Sequence, residues 1–417
     1  MEPIRTTRLP SGIRVVSEHV QGSRSVCVGA WVGVGSRDEP AEISGVSHFL
    51  EHLLFKGTLS RSAREINEAV DRVGGEMNAF TTKEYTAYYT RLPAGRLEMA
   101  VGLLGEVLTE PALRDDDVAS EREVILEELA MDEDSPEDLV HTVLFDGLFT
   151  GHPLGRETAG LRETVTATRA PEVRAFFEKW YVPANFVIAA AGAVAHEELV
   201  GLVAESLATK RTGEAPVRTA PGPTKSALTV RRRRTEQVHL ALGWRGLARD
   251  DHDREALEAA NHVLGGGMSS RLFEEVRERR GLAYSVYSAL ASYRDAGALS
   301  VYVGTTPDKL DQVIALIREE IASLSAKGVS ADERDVAIGY LTGSYVLGLE
   351  DPSSRMARLG SQMTCFGAVR PVEEQLDRYR RVSQEDIARA IGRVLAGRPF
   401  AAAVGPVTRK VLSNRLG

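Results

Sequence analysis

The sequence has few of the features that define several large classes of protein. Only two cysteines, Cys27 and Cys365, occur in 417 residues, which excludes a disulfide framework and makes thiolate zinc ligands unexpected. The N-terminal residues have no apolar core of the kind a signal peptide needs, and the longest apolar stretch, 186–195, is far too short to cross a bilayer. We therefore expect a cytoplasmic protein in a reducing compartment, without a membrane partner.

The charge balance is equally informative. The formal net charge is −8, which argues against a general affinity for nucleic acid. Four consecutive arginines at 231–234 are the exception, and we interpret them as the exposed beginning of an edge strand. The triple glycine at 265–267 lacks the following Gly-Lys-Ser/Thr of a phosphate loop and is interpreted as an ordinary loop.

The strongest chemical signal is the segment His-Phe-Leu-Glu-His at 48–52. On a helix, His52 lies about 40° round the axis from His48 and one turn along, so both imidazoles can reach one metal ion. Glu51 lies about 60° to the other side of His48, close enough to contact a water on that ion without being a ligand. The pattern therefore indicates a zinc hydrolase.

Two other interpretations of this segment deserve weight. The three residues could form a solvated polar face, or the histidines could be satisfied core residues. Apolar neighbours at 53–55 argue against a solvated face. Ser44 or Ser47 is the expected cap at the beginning of the helix.

A catalytic zinc site uses three protein ligands, so a third must come from elsewhere in the chain. The segment 119–130 is predicted to be an amphipathic helix with several glutamates. Glu121 and Glu128 are two turns apart and share a face, about 10 Å apart along the axis, whereas Glu127 points about 100° away. One of the two aligned carboxylates could bind the metal while the other orients a ligand. Without the histidines, a solvated acidic face would be the simpler interpretation.

The order of the His-x-x-Glu-His pattern resembles the signature of the pitrilysin and insulinase group of zinc peptidases, specifically its mitochondrial processing peptidase-like bacterial branch. The resemblance covers essentially the whole chain. It implies one Zn²⁺ per chain, bound by His48, His52 and Glu128. It also implies that Glu51 is the general base for a zinc-bound water and that Glu121 is a supporting acid.

Two further stretches match this family. The segment 75–89 resembles its active-site edge strand, in which the backbone at Asn78, Ala79 and Phe80 would pair with an extended peptide. Its content of Thr and Tyr is typical of strands, and an ordinary hairpin is the alternative.

The second stretch contains Arg277 and Tyr284, which match an Arg and a Tyr that family members contribute from their second half. A solvated helix end is the alternative for this Arg/Glu-rich run. Because two such domains form only half of the family's four-domain clamshell, the resemblance implies a homodimer in which each subunit's zinc faces the other's Arg277 and Tyr284. A heterodimer with a related subunit would complete the clamshell in the same way.

The two halves of the chain look like degenerate copies of one another. Glu-Arg-Glu-Val-Ile at 121–125 recurs as Glu-Arg-Asp-Val-Ala at 333–337, and other matches share nearly the same offset, which indicates a tandem domain duplication. In the second copy, Glu258, Asn261 and Tyr340 align with the first histidine, the general base and the third ligand. Only the first copy can hold the metal.

Apolar alternating segments such as 25–32 and 238–244 predict strands, and long amphipathic segments such as 93–110 and 307–326 predict helices. The fold class is therefore α+β, with two tandem homologous domains that each have a mostly antiparallel sheet covered by helices. The predicted boundaries are an N-terminal catalytic zinc-binding domain at 1–208, an exposed linker at 209–225, and a C-terminal degenerate repeat at 226–417.

These observations together predict a zinc-dependent endopeptidase that cleaves unfolded or short peptides in an enclosed dimer chamber. A non-catalytic scaffold or assembly subunit with the same fold is the alternative. Such relatives typically lose metal ligands, whereas this chain retains all of them. A different kind of zinc hydrolase would require the edge strand and the Arg/Tyr pair to be coincidences.

Overall fold

The computed structural model describes residues 4–224 and 228–416. Its strands are β1 (Arg5–Arg8), β2 (Arg14–His19), β3 (Ser25–Val32), β4 (Glu76–Thr81), β5 (Thr86–Pro93), β6 (Phe186–Gly192), β7 (Leu228–Arg232), β8 (Val238–Gly246), β9 (Ala283–Ser292), β10 (Gly297–Thr305) and β11 (Phe400–Gly405).

The α-helices are α1 (Val46–Leu54), α2 (Ala63–Asp71), α3 (Leu97–Thr109), α4 (Asp115–Asp134), α5 (Pro136–Leu148), α6 (Arg162–Ala167), α7 (Ala170–Trp180), α8 (His196–Ser206), α9 (Arg254–Asn261), α10 (Leu310–Lys327), α11 (Ala331–Gly348), α12 (Pro352–Phe366), α13 (Val372–Arg381), α14 (Gln384–Leu395) and α15 (Arg409–Leu416). A π-helical turn at His262–Gly266 continues α9. The triple glycine therefore begins within a helical turn rather than in the predicted loop, because the preceding helix runs on into it.

The strands form two sheets with matching topology. The first has the order β1-β2-β6-β3-β5-β4, and the second has the order β7-β11-β8-β10-β9. Within the described residues, each sheet has a single parallel pair, β2 with β6 and β7 with β11, and the other pairs are antiparallel. The second sheet thus repeats the first without β1, which confirms the predicted α+β fold with two homologous, mostly antiparallel sheets.

The chain divides into two compact units. Unit 1 comprises the described residues up to Leu129, Arg156–Arg218 and Val346–Arg370. Unit 2 comprises Ala130–Gly155, Thr219–Tyr345 and the described residues from Pro371 onward. These units differ from the predicted contiguous domains 1–208 and 226–417, because each contains one helical segment from the other half of the chain.

The exchanged segments contain α5 and α12, which occupy equivalent places in the two copies. Helix α5 packs on β8 and β11 in unit 2, and α12 packs on β2, β3 and β6 in unit 1. Both helices cover the sheet face opposite the main core of their unit. Each central sheet is therefore buried on both faces, which explains why β6 and β11 are continuous apolar runs instead of alternating ones.

In each unit, one large aromatic side chain of the sheet packs against a glycine of the exchanged helix. A Cβ on Gly147 of α5 would lie 1.9 Å from the Phe400 ring, and a Cβ on Gly360 of α12 would lie 2.2 Å from the Trp31 ring. Phe400 and Trp31 are both fully buried. The two glycines allow the helix backbone to approach the sheet at these rings.

The segment predicted to be an exposed linker is partly held against unit 1. Arg218 donates to both carboxylate oxygens of Asp38 at 2.7–2.8 Å, and Arg211 donates to the carbonyls of Leu108 and Thr109. Acceptors in unit 1 thus bind the guanidinium groups of Arg211 and Arg218, while the described residues of 209–224 are otherwise exposed or partly exposed. The last linker position, 225, lies outside the described residues.

The first two arginines of the run, Arg231 and Arg232, do lie at a sheet edge, on β7. However, β7 ends at Arg232, so the run closes this strand rather than opening it. The apolar residues Leu228 and Val230, which contact the core of unit 2, come before the arginines in the sequence.

Candidate metal centre

Helix α1 presents the two histidines at the edge of the core of unit 1. Its apolar face, including Phe49, Leu50 and Leu53, is buried, while His48 and His52 remain 19% and 18% exposed at their side chains. The apolar spacing in the sequence thus fixes which side of α1 faces inward. The imidazoles are left on the accessible side, at the spacing predicted for one turn of helix.

The beginning of α1 is capped from outside the helix. Gly45 is the N-cap residue and has no side chain to accept a hydrogen bond. The buried carboxylate of Glu39 accepts hydrogen bonds from the Gly45 and Ser47 amides, both at 2.7 Å. The predicted capping by Ser44 or Ser47 is therefore wrong, because Glu39 takes that place.

Three ligand atoms converge beside α1. His48 Nε2 and His52 Nε2 are 3.2 Å apart, and Glu128 Oε2 of α4 lies 3.9 Å and 3.7 Å from them. Tetrahedral zinc with bonds of about 2.0–2.1 Å places its ligand atoms about 3.3–3.4 Å apart. The set of two imidazoles and one carboxylate, at these separations, fits a zinc ion with one coordination position left open.

Glu121 lies behind His52 and is almost fully buried. Because a carboxylate only accepts, the 2.9 Å contact assigns the proton to His52 Nδ1, which donates to Glu121 Oε1. Lys56 pairs with the other carboxylate oxygen. This arrangement leaves the lone pair of His52 Nε2 free to bind a metal, and Glu121 lies outside the group of three candidate ligands.

His48 is also prepared to bind a metal. Burial, and then the neighbouring His52, lower the pKa of His48 to about 4. The imidazole is therefore neutral at neutral pH, which is the form that binds metals. Its Nδ1 atom is buried and has no hydrogen-bond partner within the described parts of the chain.

Glu51 lies next to the cluster without belonging to it. Its carboxylate accepts a hydrogen bond of 2.5 Å from the Thr81 hydroxyl of β4. Burial raises the pKa of Glu51 above its ordinary value, with the Glu128 charge contributing in the same direction. A carboxylate with a raised pKa is a stronger base, which suits a group that takes a proton from water.

The segment predicted to form an edge strand contains β4, which lies at the edge of the first sheet. Among the described strands, β4 pairs only with β5. The alternative of a hairpin also holds, because β4 and β5 are joined by a short turn. Asn78 and Phe80 lie on the more exposed side of β4, while Ala79 is half-buried. The Ala79 amide donates to Asn78 Oδ1 at 2.8 Å. The end of β4 reaches the cluster through Thr81 and Glu51.

Arg277 and Tyr284 lie together in unit 2. The Arg277 guanidinium stacks at 4.5 Å from the Tyr284 ring and at 4.7 Å from the Phe273 ring. Tyr284 is 79% exposed and stands near the start of β9, the edge strand of the second sheet. The two residues therefore form one accessible cation–aromatic pair, as opposed to a solvated helix end.

A second acidic group in the described residues does not resemble a metal site. Asp251, His252 and Asp253 are close enough to share an ion. However, the two carboxylates already bind guanidinium groups, those of Arg389 and Arg393, at 2.6–3.0 Å. Burial alone would raise the pKa of the Asp253 carboxyl, but the hydrogen bonds from Arg389 and Arg393 lower it below its ordinary value, so the group is a partly buried ion-pair network.

Three residues that support the site were not identified from the sequence: Glu39, Lys56 and Thr81. Thr81 lies inside the segment that was predicted to be the edge strand, so its place in the sequence could have identified it. Lys56 comes four residues after His52, a spacing that places the two side chains next to each other. Glu39 gave no local signal, because its contacts with α1 depend on the path of the intervening loop.

Comparisons with known proteins bear on this site. Residues 14–161 match the family model described as insulinase, peptidase family M16. Residues 169–341 match the model described as peptidase M16 inactive domain. Among the described residues, no helix combines the length and apolarity that a membrane span needs.

Curated relatives cover nearly the whole chain. It is 43% identical to an uncharacterised zinc protease of Streptomyces coelicolor, over 99% of this chain and 91% of the relative. It is 44% identical to an uncharacterised zinc protease of Mycobacterium leprae, over 98% and 94%. An uncharacterised zinc protease of Bacillus subtilis is 37% identical over 90% and 92%.

Solved structures agree in fold. A peptidase M16 inactive domain structure from Pseudomonas fluorescens has a TM-score of 0.90 at 23% identity and covers 97% of this chain and 98% of its own. A protease from Helicobacter pylori has a TM-score of 0.87 at 21% identity, over 97% and 99%. Together with the family models and the curated relatives, these matches identify the chain as a member of peptidase family M16.

Proposed function

We propose that this chain is a zinc-dependent endopeptidase in which His48, His52 and Glu128 hold the metal and Glu51 is the general base. Relatives named as zinc proteases support a peptidase function. The observation that carries the proposal is the convergence of two imidazole nitrogens and one carboxylate oxygen beside a carboxylate that is not a ligand.

When bound, zinc lowers the pKa of a coordinated water towards about 7 and polarises the scissile carbonyl. The chain's own groups do the rest. Glu51, oriented by the Thr81 hydroxyl, accepts a proton from the attacking water and delivers it to the leaving amine. Glu121 keeps His52 in the correct tautomer through its hydrogen bond to Nδ1.

The edge of β4 supports a peptide substrate in extended form. Backbone groups on an open strand edge pair with any extended peptide, so binding through Asn78, Ala79 and Phe80 is tolerant of sequence. Thr81, at the end of the same strand, contacts the general base. We therefore propose unfolded or short peptides as substrates, since a folded protein rarely offers a free extended backbone.

A homodimer accounts for the accessible Arg277 and Tyr284 pair. In this proposal the pair from one copy binds the backbone or the developing oxyanion of a substrate held at the other copy's zinc. Mixing a Glu51→Gln chain with an Arg277→Ala chain tests this. Recovery of activity in the mixture, when each chain alone is inactive, supports the shared site, and no recovery contradicts it.

The overall function is tested by a peptide-library cleavage profile of the purified protein at known oligomeric state. The proposal expects one zinc per chain, cleavage that stops with a chelator, and recovery when zinc is restored. His48→Ala should lose both zinc and cleavage. A protein that binds no zinc and cleaves nothing would instead be the scaffold subunit, and full zinc occupancy in His48→Ala would contradict the ligand assignment.

A further inference from the structure

The first turn of α1 carries His48, yet this turn has no cap of its own. The N–H groups at the beginning of a helix lack partners within the helix, and Ser, Thr, Asp or Asn usually supplies one from the N-cap position. Here that position is Gly45, with φ +98°. The reason lies in the packing around it.

Backbone from two loops meets closely at Gly45. A Cβ on Gly45 would lie 2.5 Å from the carbonyl oxygen of Ala159, and a Cβ on Gly160 would lie 2.3 Å from the carbonyl oxygen of Ser44. Thr164 also donates to the Ser44 carbonyl at 2.6 Å. A residue with a side chain does not fit at the N-cap, so the helix needs an acceptor from another part of the chain.

Glu39 supplies that acceptor. One carboxylate oxygen binds the Gly45 amide and the other binds the Ser47 amide, each at 2.7 Å. The residue is 4% exposed, and its own backbone is fixed because Arg156 donates to the Glu39 carbonyl at 2.9 Å. Burial raises the pKa of Glu39 to about 7, although the hydrogen bonds from the Gly45 and Ser47 amides act in the opposite direction. The ionised carboxylate also interacts favourably with the positive end of the helix.

The two histidines differ in how they are held. His52 is oriented by a hydrogen bond from its ring to Glu121. The ring of His48 has no such partner at its buried Nδ1 atom within the described residues. Its position therefore depends on the backbone of the first turn. In that turn the amide of Ser47, the residue before His48, donates to Glu39.

We propose that Glu39 is a positioning residue for His48: by fixing the first turn of α1, its carboxylate holds the imidazole where it can bind zinc. This inference rests on the proposed function for its metal readout. It predicts an asymmetry, in which loss of the Glu39 carboxylate disturbs His48 more than His52.

The test compares Glu39→Gln with Glu42→Gln in the full chain. Gln has nearly the same shape as Glu but presents one acceptor and one NH₂ donor, so one of the two amides loses its partner. Glu42 belongs to the same loop and is exposed, which makes it a matched control. Zinc affinity is measured by competition with a chelator, and the imidazole NMR resonances of His48 and His52 are followed with and without zinc.

Glu39→Gln should bind zinc about tenfold more weakly, at the lower end of the range for lost support around a metal ligand. In the metal-free protein the His48 resonances should broaden or shift more than those of the neighbouring His52, which is held by Glu121, and Glu42→Gln should match the wild type. An unchanged affinity with unchanged His48 resonances would overturn the proposal. Equal changes at His48 and His52 would also overturn it, since they would indicate general loosening of the helix.

Thr164→Val provides a second variant if Glu39→Gln does not fold. It removes the hydrogen bond to the Ser44 carbonyl and should change His48 in the same direction by a smaller amount; a change confined to His52 would count against the proposal. If the wild-type protein binds no zinc, the proposed function fails, whereas the metal-free resonances of His48 still decide the role of Glu39.

Discussion

The corresponding helices of the two units show how one fold can carry a group of candidate metal ligands or do without it. In unit 1, α1 and α4 face each other through two imidazoles and Glu128. In unit 2, the residue aligned with Glu128 is Tyr340, and its ring stacks on His262 with centroids 4.1 Å apart and an interplanar angle of 18°. The equivalent segments of unit 2 therefore contact each other through aromatic stacking at the place where unit 1 has Glu128 and the histidines.

The other aligned positions in unit 2 also have structural partners. Glu258, which aligns with the first histidine, accepts a hydrogen bond from the Tyr379 hydroxyl at 2.7 Å. Glu333, which aligns with Glu121, binds Arg271 at 2.6 Å and 2.8 Å. Unit 2 has a matching sheet topology with these partners in place of the candidate ligands, so we infer that this topology does not require a metal. Variants at the ligands in unit 1 should therefore fold.

The largest effect is expected when Glu51, the proposed general base, is replaced by an amide. Unit 2 already has an amide at the aligned position, Asn261. Glu51→Gln should lower kcat by about 10²–10⁴-fold, because proton transfer by a positioned base contributes that much. Zinc content should stay at one per chain. Steady-state kinetics and metal analysis check both points, and a parallel loss of zinc would show that Glu51 is a ligand or a structural residue.

Removing the carboxylate from α4 should break the cluster itself. Glu128→Gln should weaken zinc binding by at least about 100-fold, since even partners behind a ligand contribute about 10–100-fold. Glu127→Gln, one residue away and exposed on the same helix, is the control and should bind zinc like the wild type. Calorimetric titration with zinc measures the difference, and similar affinities in the two variants would refute the assignment of Glu128.

The pair Glu121 and Glu333 sharpens the comparison. Glu121→Gln should lower zinc affinity about 10-fold, because the amide orients His52 less strongly than the carboxylate does. Glu333→Gln should leave zinc affinity unchanged and lower the free energy of unfolding by about 1–2 kcal/mol, through weakening of its bonds to Arg271. Metal titration and chemical denaturation distinguish the two outcomes. Loss of zinc in Glu333→Gln would contradict the separate roles.

An effect on stability alone, with no change in zinc affinity, is expected where the exchanged helices meet the sheets. Gly147→Ala should destabilise the protein by about 1–3 kcal/mol, because its methyl group overlaps the buried Phe400 ring. Gly392→Ala on α14, where a Cβ meets nothing within 4 Å, should instead stabilise it by about 1 kcal/mol through helix propensity. Thermal unfolding measures both. Equal stability of the two variants would show that the close approach of α5 does not matter.

Local patterns in the sequence predicted much of this architecture. The strand predicted at 25–32 is β3, with the same bounds, and the helix predicted at 119–130 lies inside the longer α4. The internal repeat predicted the matching sheets. The spacing of His48, Glu51 and His52 predicted their arrangement on α1, because one helical turn fixes where such side chains point.

The features that depend on long-range packing were not predictable in this way. An apolar periodicity shows that α5 and α12 each bury one face, but it does not say which of two similar sheets each helix covers. The capping of α1 by Glu39 depends on a loop path, and the burial of Arg218 depends on Asp38 elsewhere in unit 1. The roles of Glu121, Arg277 and Tyr284 in catalysis remain predictions.

The central claim is that His48, His52 and Glu128 hold one zinc ion. Crystals of the zinc-loaded protein, measured on both sides of the zinc absorption edge, test it directly. The account predicts one anomalous peak per chain, about 2.0–2.2 Å from Nε2 of each histidine and from the Glu128 carboxylate. A peak at any other cluster, or its absence from a fully loaded and active enzyme, would contradict the account.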